Sequence, residues 1–133
     1  MSVSESDFKH AQARFPSLVA IRSSNGQIDR VSVDFNGIIG RGNTAKMVYK
    51  TILTFDGHPT SPPTIWVTYP DDSQIHHMNI YHSGGALKLP HVCMGNYSSI
   101  WSKLPVAERT LLHFLLAAHH VLLTENPASA ARR

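Results

Sequence analysis

The chain carries one cysteine, Cys93, in the run His91-Val92-Cys93-Met94-Gly95, with His77-Met78-Asn79 ahead of it and Trp101 behind. Cysteine is the strongest side-chain nucleophile near neutral pH, and one with an asparagine, histidines and glycines close by has the makings of an acyl carrier. A free thiol with a pKa near 8.5 is only a few per cent ionised at pH 7, so local dipoles must favour the thiolate. Transfer from a thioester to an amine passes through an oxyanion. A side-chain amide donor such as Asn79 stabilises such a centre by roughly 3 kcal/mol. Exchange between two thiols changes little free energy and the later amide is far more stable, so the carrier role asks little of a general base.

Other uses of these residues are open. A lone cysteine is commonly a small buried hydrophobe, His77 suits a structural hydrogen bonder better than a base, and Trp101 suits a packing anchor. His76, His77, His82 and His91 with Cys93 are of the types that bind zinc, but their spacings fit no compact zinc signature. A Cys-His-Asn hydrolase with His91 or His77 as base uses the same set, although a short chain offers little room for a substrate cleft. The run Gly40-Arg41-Gly42-Asn43-Thr44-Ala45-Lys46 leads into a strand and lacks the following Ser or Thr of a phosphate loop, so it reads as a turn.

The elements that must position these groups follow from pattern. Ser4 with Asp7 reads as a capping box, and Phe8, Ala11 and Phe15 recur at helical spacing until Pro16. Segments 17–21 and 27–35 flank Asn25-Gly26, a hairpin signal, with Val31, Val33 and Phe35 alternating against polar residues. The glycines at 37, 40 and 42 predict a second turn before a strand over 46–55. Pro59, Pro62 and Pro63 punctuate a loop before another strand, Thr64 to Tyr69. From Pro70 to Ile100 no period is sustained, and a long irregular stretch in a small domain is often functional. A helix is predicted from Pro105 to about Thr124, its Leu111, Leu115 and Leu122 face turned to the sheet.

A chain of 133 residues is expected to form one domain around one core. The formal net charge is only +3 and the basic residues are spread out, apart from Arg132-Arg133, which argues against a nucleic-acid face. One cysteine permits no internal disulfide. Met1 to Asp7 is polar and acidic, unlike a signal peptide, and the apolar run Leu111 to Leu123 is broken by histidines and too short to span a bilayer. A cytoplasmic protein with no membrane or nucleic-acid partner is the expectation.

The order of elements, the Ser61-Pro62-Pro63-Thr64-Ile65 lead into a strand, the His77-Met78-Asn79-Ile80 segment, Cys93 with Trp101-Ser102 eight positions on, and Leu122-Leu123-Thr124-Glu125-Asn126-Pro127 together resemble ubiquitin-conjugating enzymes. That resemblance spans most of the chain. It implies an α+β fold with an N-terminal helix, a four-stranded antiparallel sheet and a central buried helix. It implies that Cys93 forms the thioester, that Asn79 matches the asparagine of the family's His-Pro-Asn motif, and that His77 and Trp101 support the site. Phe8, Lys9, His10 and Arg14 would either dock an activating enzyme, as the first helix does in the family, or form a solvated face beside a core stripe. The modifier would be a ubiquitin-like protein, or a nucleotidyltransferase with a similar tail, passed to a target amine. The chain itself would need neither metal nor cofactor, since ATP is used by the activating enzyme. A non-catalytic domain of the same fold that only binds ubiquitin-like proteins or peptides is the alternative, and such variants usually lack the cysteine.

The departures from the family are specific. Met78 stands where the family has proline, so packing is expected to hold that turn. The interval from Asn79 to Cys93, with Gly84-Gly85 and Pro90 inside it, is several residues longer than usual. Ala128-Ser129 follow Pro127 where the family often places an acid, and Glu125 is the nearest carboxylate. No counterpart of the family's last two helices follows. That reduced form resembles bacterial conjugating enzymes found with activating enzymes or in antiphage defence systems, the setting expected here.

Overall fold

The computed structural model describes residues 3–129, 131 and 132. Helix α1 spans Glu5–Arg14. Its N-cap is Ser4, whose hydroxyl accepts the Asp7 N–H at 3.1 Å. The Asp7 carboxylate does not close a capping box: both its oxygens accept the N–H of Leu111, at 3.0 Å each. It therefore ties α1 to the start of the last helix, and burial raises its pKa against that bond.

Six strands follow: β1 (Val19–Arg22), β2 (Ile28–Gly40), β3 (Asn43–Thr54), β4 (Thr64–Tyr69), β5 (Ile80–Gly84) and β6 (Leu89–Val92). They form one antiparallel sheet in the order β1-β2-β3-β4-β6-β5. Val31, Val33 and Phe35 alternate inward along β2, beside Tyr49 and Leu53 of β3 and Ile65 and Val67 of β4. Helix α2 spans Tyr97–Lys103, and α3 spans Leu111–Leu123. Leu111, Phe114, Leu115, Ala118 and Leu122 are fully buried in the same core. The expected inward face of this helix is thus present, and each large side chain on it contributes roughly 1.5–3 kcal/mol by leaving water.

The α+β class holds, but the sheet has six strands rather than the four expected. The two extra strands lie in the stretch 70–100 that read as irregular. Two boundaries also move. β2 runs through position 37, because Gly37 is there for close approach: a Cβ would lie 2.6 Å from the Leu122 carbonyl oxygen. Only Gly40, Arg41 and Gly42, with φ of +102°, +52° and +83°, make the turn. α3 begins at Leu111 rather than Pro105, because Thr110 is its N-cap and accepts the His113 N–H at 3.1 Å. Pro105 instead precedes a 3₁₀ turn over Val106–Glu108.

Candidate active site

The long interval between Asn79 and Cys93 is a hairpin that closes on itself. Ile80 faces Val92 and Tyr81 faces His91 across β5 and β6, and just beyond, the Cys93 N–H donates to the Asn79 carbonyl at 2.6 Å. The two residues singled out by type therefore meet at the open end of this hairpin. Both line a groove of about 520 Å³, together with Asn96, His120, Thr124 and Asn126. Cys93 is half-buried and Asn79 is buried.

Asn79 is fixed on three sides. Its Oδ1 accepts the Asn126 N–H at 2.9 Å, which leaves Nδ2 as the unbonded donor of the amide. Its own N–H donates to His77 Nδ1 at 3.1 Å, which assigns that nitrogen as the acceptor of a neutral ring. His77 is fully buried and packs edge-on to Tyr49. Burial lowers its pKa, while the Glu125 carboxylate and the carbonyls of Thr124, Leu122 and Val121 push the other way. Its Nε2 has no hydrogen-bond partner among the described residues. His77 supports the backbone at Asn79 and makes no bond to Cys93.

Glu125 holds the turn where proline was missing. Its carboxylate accepts the N–H of Met78 at 2.9 Å, of Arg41 at 2.7 Å and of Gly42 at 3.3 Å. Packing alone therefore does not hold this turn. The N–H that Met78 has and proline lacks is used, and it joins the β2–β3 turn to the segment before β5. Gly40 is required beside it, since a Cβ there would lie 2.5 Å from the His77 Cα. Burial would raise the Glu125 pKa, but the three N–H donors and nearby His77 hold it below the ordinary value.

On the other side of the thiol, the Tyr81 hydroxyl lies 3.6 Å from Cys93 Sγ. The phenol pKa is raised by that hydrogen bond and the sulfur's charge, so Tyr81 stays a donor. His91 stacks on Tyr81 with ring centroids 4.8 Å apart. Tyr81 was not singled out in the sequence, although it falls two residues from Asn79 at the strand period. His120 and Thr124 were also missed; their spacing of four places them on one helix face.

The other candidates lie elsewhere. Trp101 is fully buried, donates its indole N–H to the Pro59 carbonyl at 2.8 Å and does not line the groove. Lys9 and Arg14 are exposed on α1, outside the groove. Among the described residues no three His, Cys, Asp or Glu side chains converge to hold a metal. Neither histidine weighed as base of the hydrolase alternative is paired with the thiol, since neither His91 nor His77 bonds to Cys93; His91 Nδ1 lies 3.4 Å from the Leu89 carbonyl. Asp72 and His82 bind Arg132 instead: Arg132 Nη1 is 3.0 Å from His82 Nδ1, and the Asp72 carboxylate pairs with the same guanidinium. Burial would raise Asp72, but the Ser83 N–H, Arg132 and His82 hold it well below the usual carboxylate range.

The chain matches no protein-family model, and no curated protein is detectably similar to it. Among the described residues no helix is long and apolar enough to cross a membrane.

Proposed function

We propose that Cys93 is the acyl carrier of a conjugating enzyme. It accepts the C-terminal carboxyl of a ubiquitin-like or similarly tailed protein from an activating enzyme and passes it to a target amine. The observation that carries the reading is the convergence of Cys93 and Asn79 on one groove, with Asn79 Oδ1 tied to Asn126 and Nδ2 left to donate. An acyl group carried on the sulfur would share this groove with that donor, which is the pairing that stabilising an oxyanion calls for. The Tyr81 hydroxyl lies beside the sulfur as a donor, placed to meet the charge that gathers there when the thiol attacks during loading and leaves during transfer. The ubiquitin-conjugating resemblance of the sequence supports the same assignment, and an antiphage setting rests on that resemblance alone.

The test is reconstitution with activating enzyme, ATP and modifier. The expected product is an adduct that reducing agent cleaves, because a thioester exchanges with added thiol and an amide does not. Cys93→Ser should trap a thiol-resistant oxyester, and Cys93→Ala should give no adduct. A thiol-sensitive adduct in the alanine variant rejects Cys93. Asn79→Ala should load normally but transfer to amine about 10²–10³-fold more slowly. Unchanged transfer rejects the oxyanion role alone. The alternative, a binding module of the same fold, predicts modifier binding with no adduct on the wild-type thiol.

A further inference from the structure

The groove contains a second titratable side chain besides the thiol. His119 and His120 are adjacent on α3 and do different things. The His119 ring packs against Phe15 and Phe35, with centroids 5.9 and 6.0 Å away. His120 is exposed, lines the groove with Cys93 and Asn79, and its imidazole makes no hydrogen bond among the described residues. Its backbone is held: the Thr124 hydroxyl donates to the His120 carbonyl at 2.8 Å.

We propose that His120 is the side chain that takes the proton from the amine as the acyl group leaves Cys93. This rests on the carrier reading above. An attacking lysine amine is an ammonium at neutral pH and must shed two protons before an amide is complete. The first goes to solvent as the lone pair is freed. Nitrogen then attacks the thioester carbonyl, the remaining excess proton passes to the imidazole, and the C–S bond breaks with its electron pair on sulfur. The imidazolium returns that proton to the thiolate or to water, so amide, thiol and neutral His120 result.

The other groups near the site are unsuited to accept it. The Glu125 carboxylate is engaged by the N–H groups of Met78, Arg41 and Gly42. Tyr81 reaches the sulfur from β5 as a donor, and His91 stacks on the Tyr81 ring outside the groove lining. His77 is buried behind Asn79 with Nδ1 engaged. Arg132, Asp72 and His82 bind one another. Asn79, Asn96 and Thr124 do not titrate.

The experiment loads Cys93 without any partner, by exchange with a glycine-terminated peptide thioester of a small thiol, and follows discharge across roughly pH 6 to 9, a span in which a lysine amine stays mostly charged. His120→Gln should slow discharge to free lysine about 10²-fold near pH 7. The deficit should narrow as the pH rises and hydroxide takes over the proton that the imidazole would accept. Hydroxylamine, a far weaker base than lysine, loses its excess proton to water unaided after attack, so it should discharge variant and wild type alike, and added imidazole should restore lysine discharge in His120→Ala. Lysine discharge by His120→Gln at the wild-type rate and pH profile overturns the proposal. So does an equal loss toward hydroxylamine, which marks a purely structural role. A wild-type thiol that takes up no acyl group overturns the carrier reading itself, and the role of His120 falls with it.

Discussion

The two halves of the sheet are held together differently. β2 and β3 pair along their length, from Arg30 opposite Thr54 to Gly40 opposite Asn43, and β3 pairs with β4 from Thr54 opposite Thr64 to Lys50 opposite Tyr69, with one register shift in each ladder. On the site side, β4 meets β6 at a single pair, Trp66 opposite His91, and the β5–β6 pairing shifts after Tyr81. There, side chains bonded to backbone do what the ladder does elsewhere: Glu125 to Met78, His77 to Asn79, Asp72 to Ser83, and Asn79 to Asn126. A pleated ladder fixes strands but leaves little freedom to aim a thiol and an amide into one groove. Discrete polar bonds allow that aim, at the cost of dependence on a few groups.

The largest expected effect tests the regular half. Leu115→Ala empties the core under the sheet and should cost about 2–5 kcal/mol in denaturant unfolding, with an unchanged slope. Loss of amide protection throughout the sheet is expected, and loss confined to β5 and β6 would show that the halves unfold separately.

Glu125→Gln should cost less, about 1–3 kcal/mol at pH 7, and act first on the site. Hydrogen exchange at the Met78, Arg41 and Gly42 amides should speed up while β2–β3 pairing keeps its protection. Because the folded pKa lies below the ordinary 4.5, the wild-type advantage is full above that value and is lost as pH falls through the folded one. A gap that persists in acid excludes the carboxylate as its source. His77 acts earlier. Its folded pKa is below the ordinary 6.5, so its contribution is full above 6.5 and declines as acidification charges the unfolded chain.

Met78→Pro puts back the ring the sequence lacks, yet it should destabilise by about 1–2 kcal/mol, since it deletes the N–H that Glu125 accepts. In a Glu125→Gln background the penalty should shrink, a coupling that a double-mutant cycle measures. The smallest effect belongs to Ser4→Ala, about 0.5–1 kcal/mol from the lost cap of α1, with acyl discharge unchanged. A slower discharge in that variant would show that α1 is coupled to the groove.

This division also governs what could be read from the sequence. Val31, Val33 and Phe35 announce their strand by alternation, and Leu111, Leu115 and Leu122 announce a buried helix face, because burying apolar area demands a period. Strand β4 was bounded as found, from Thr64 to Tyr69. β5 and β6 are short and lack a period: Tyr81, His82 and Ser83 are exposed in succession. α2 was missed for a similar reason, since Tyr97 and Trp101 are its only buried residues. Within the site, Cys93, Asn79 and His77 were legible by type. The Glu125 clamp was not, because bonds to the backbone at positions 41, 42 and 78 leave no mark on which side chains stand there. Gly40 does carry such a mark, through its positive φ and the nearness of His77.

The half-buried Cys93 is the only sulfhydryl of the chain, so the wild-type protein is already a singly labelled probe of its own groove. An alkylating dye or spin label can attach nowhere else by thiol chemistry, and no cysteine need be engineered out first. Its alkylation rate at fixed pH reads reactivity and access together, and Tyr81→Phe removes the hydroxyl beside the sulfur while leaving the groove's lining residues in place.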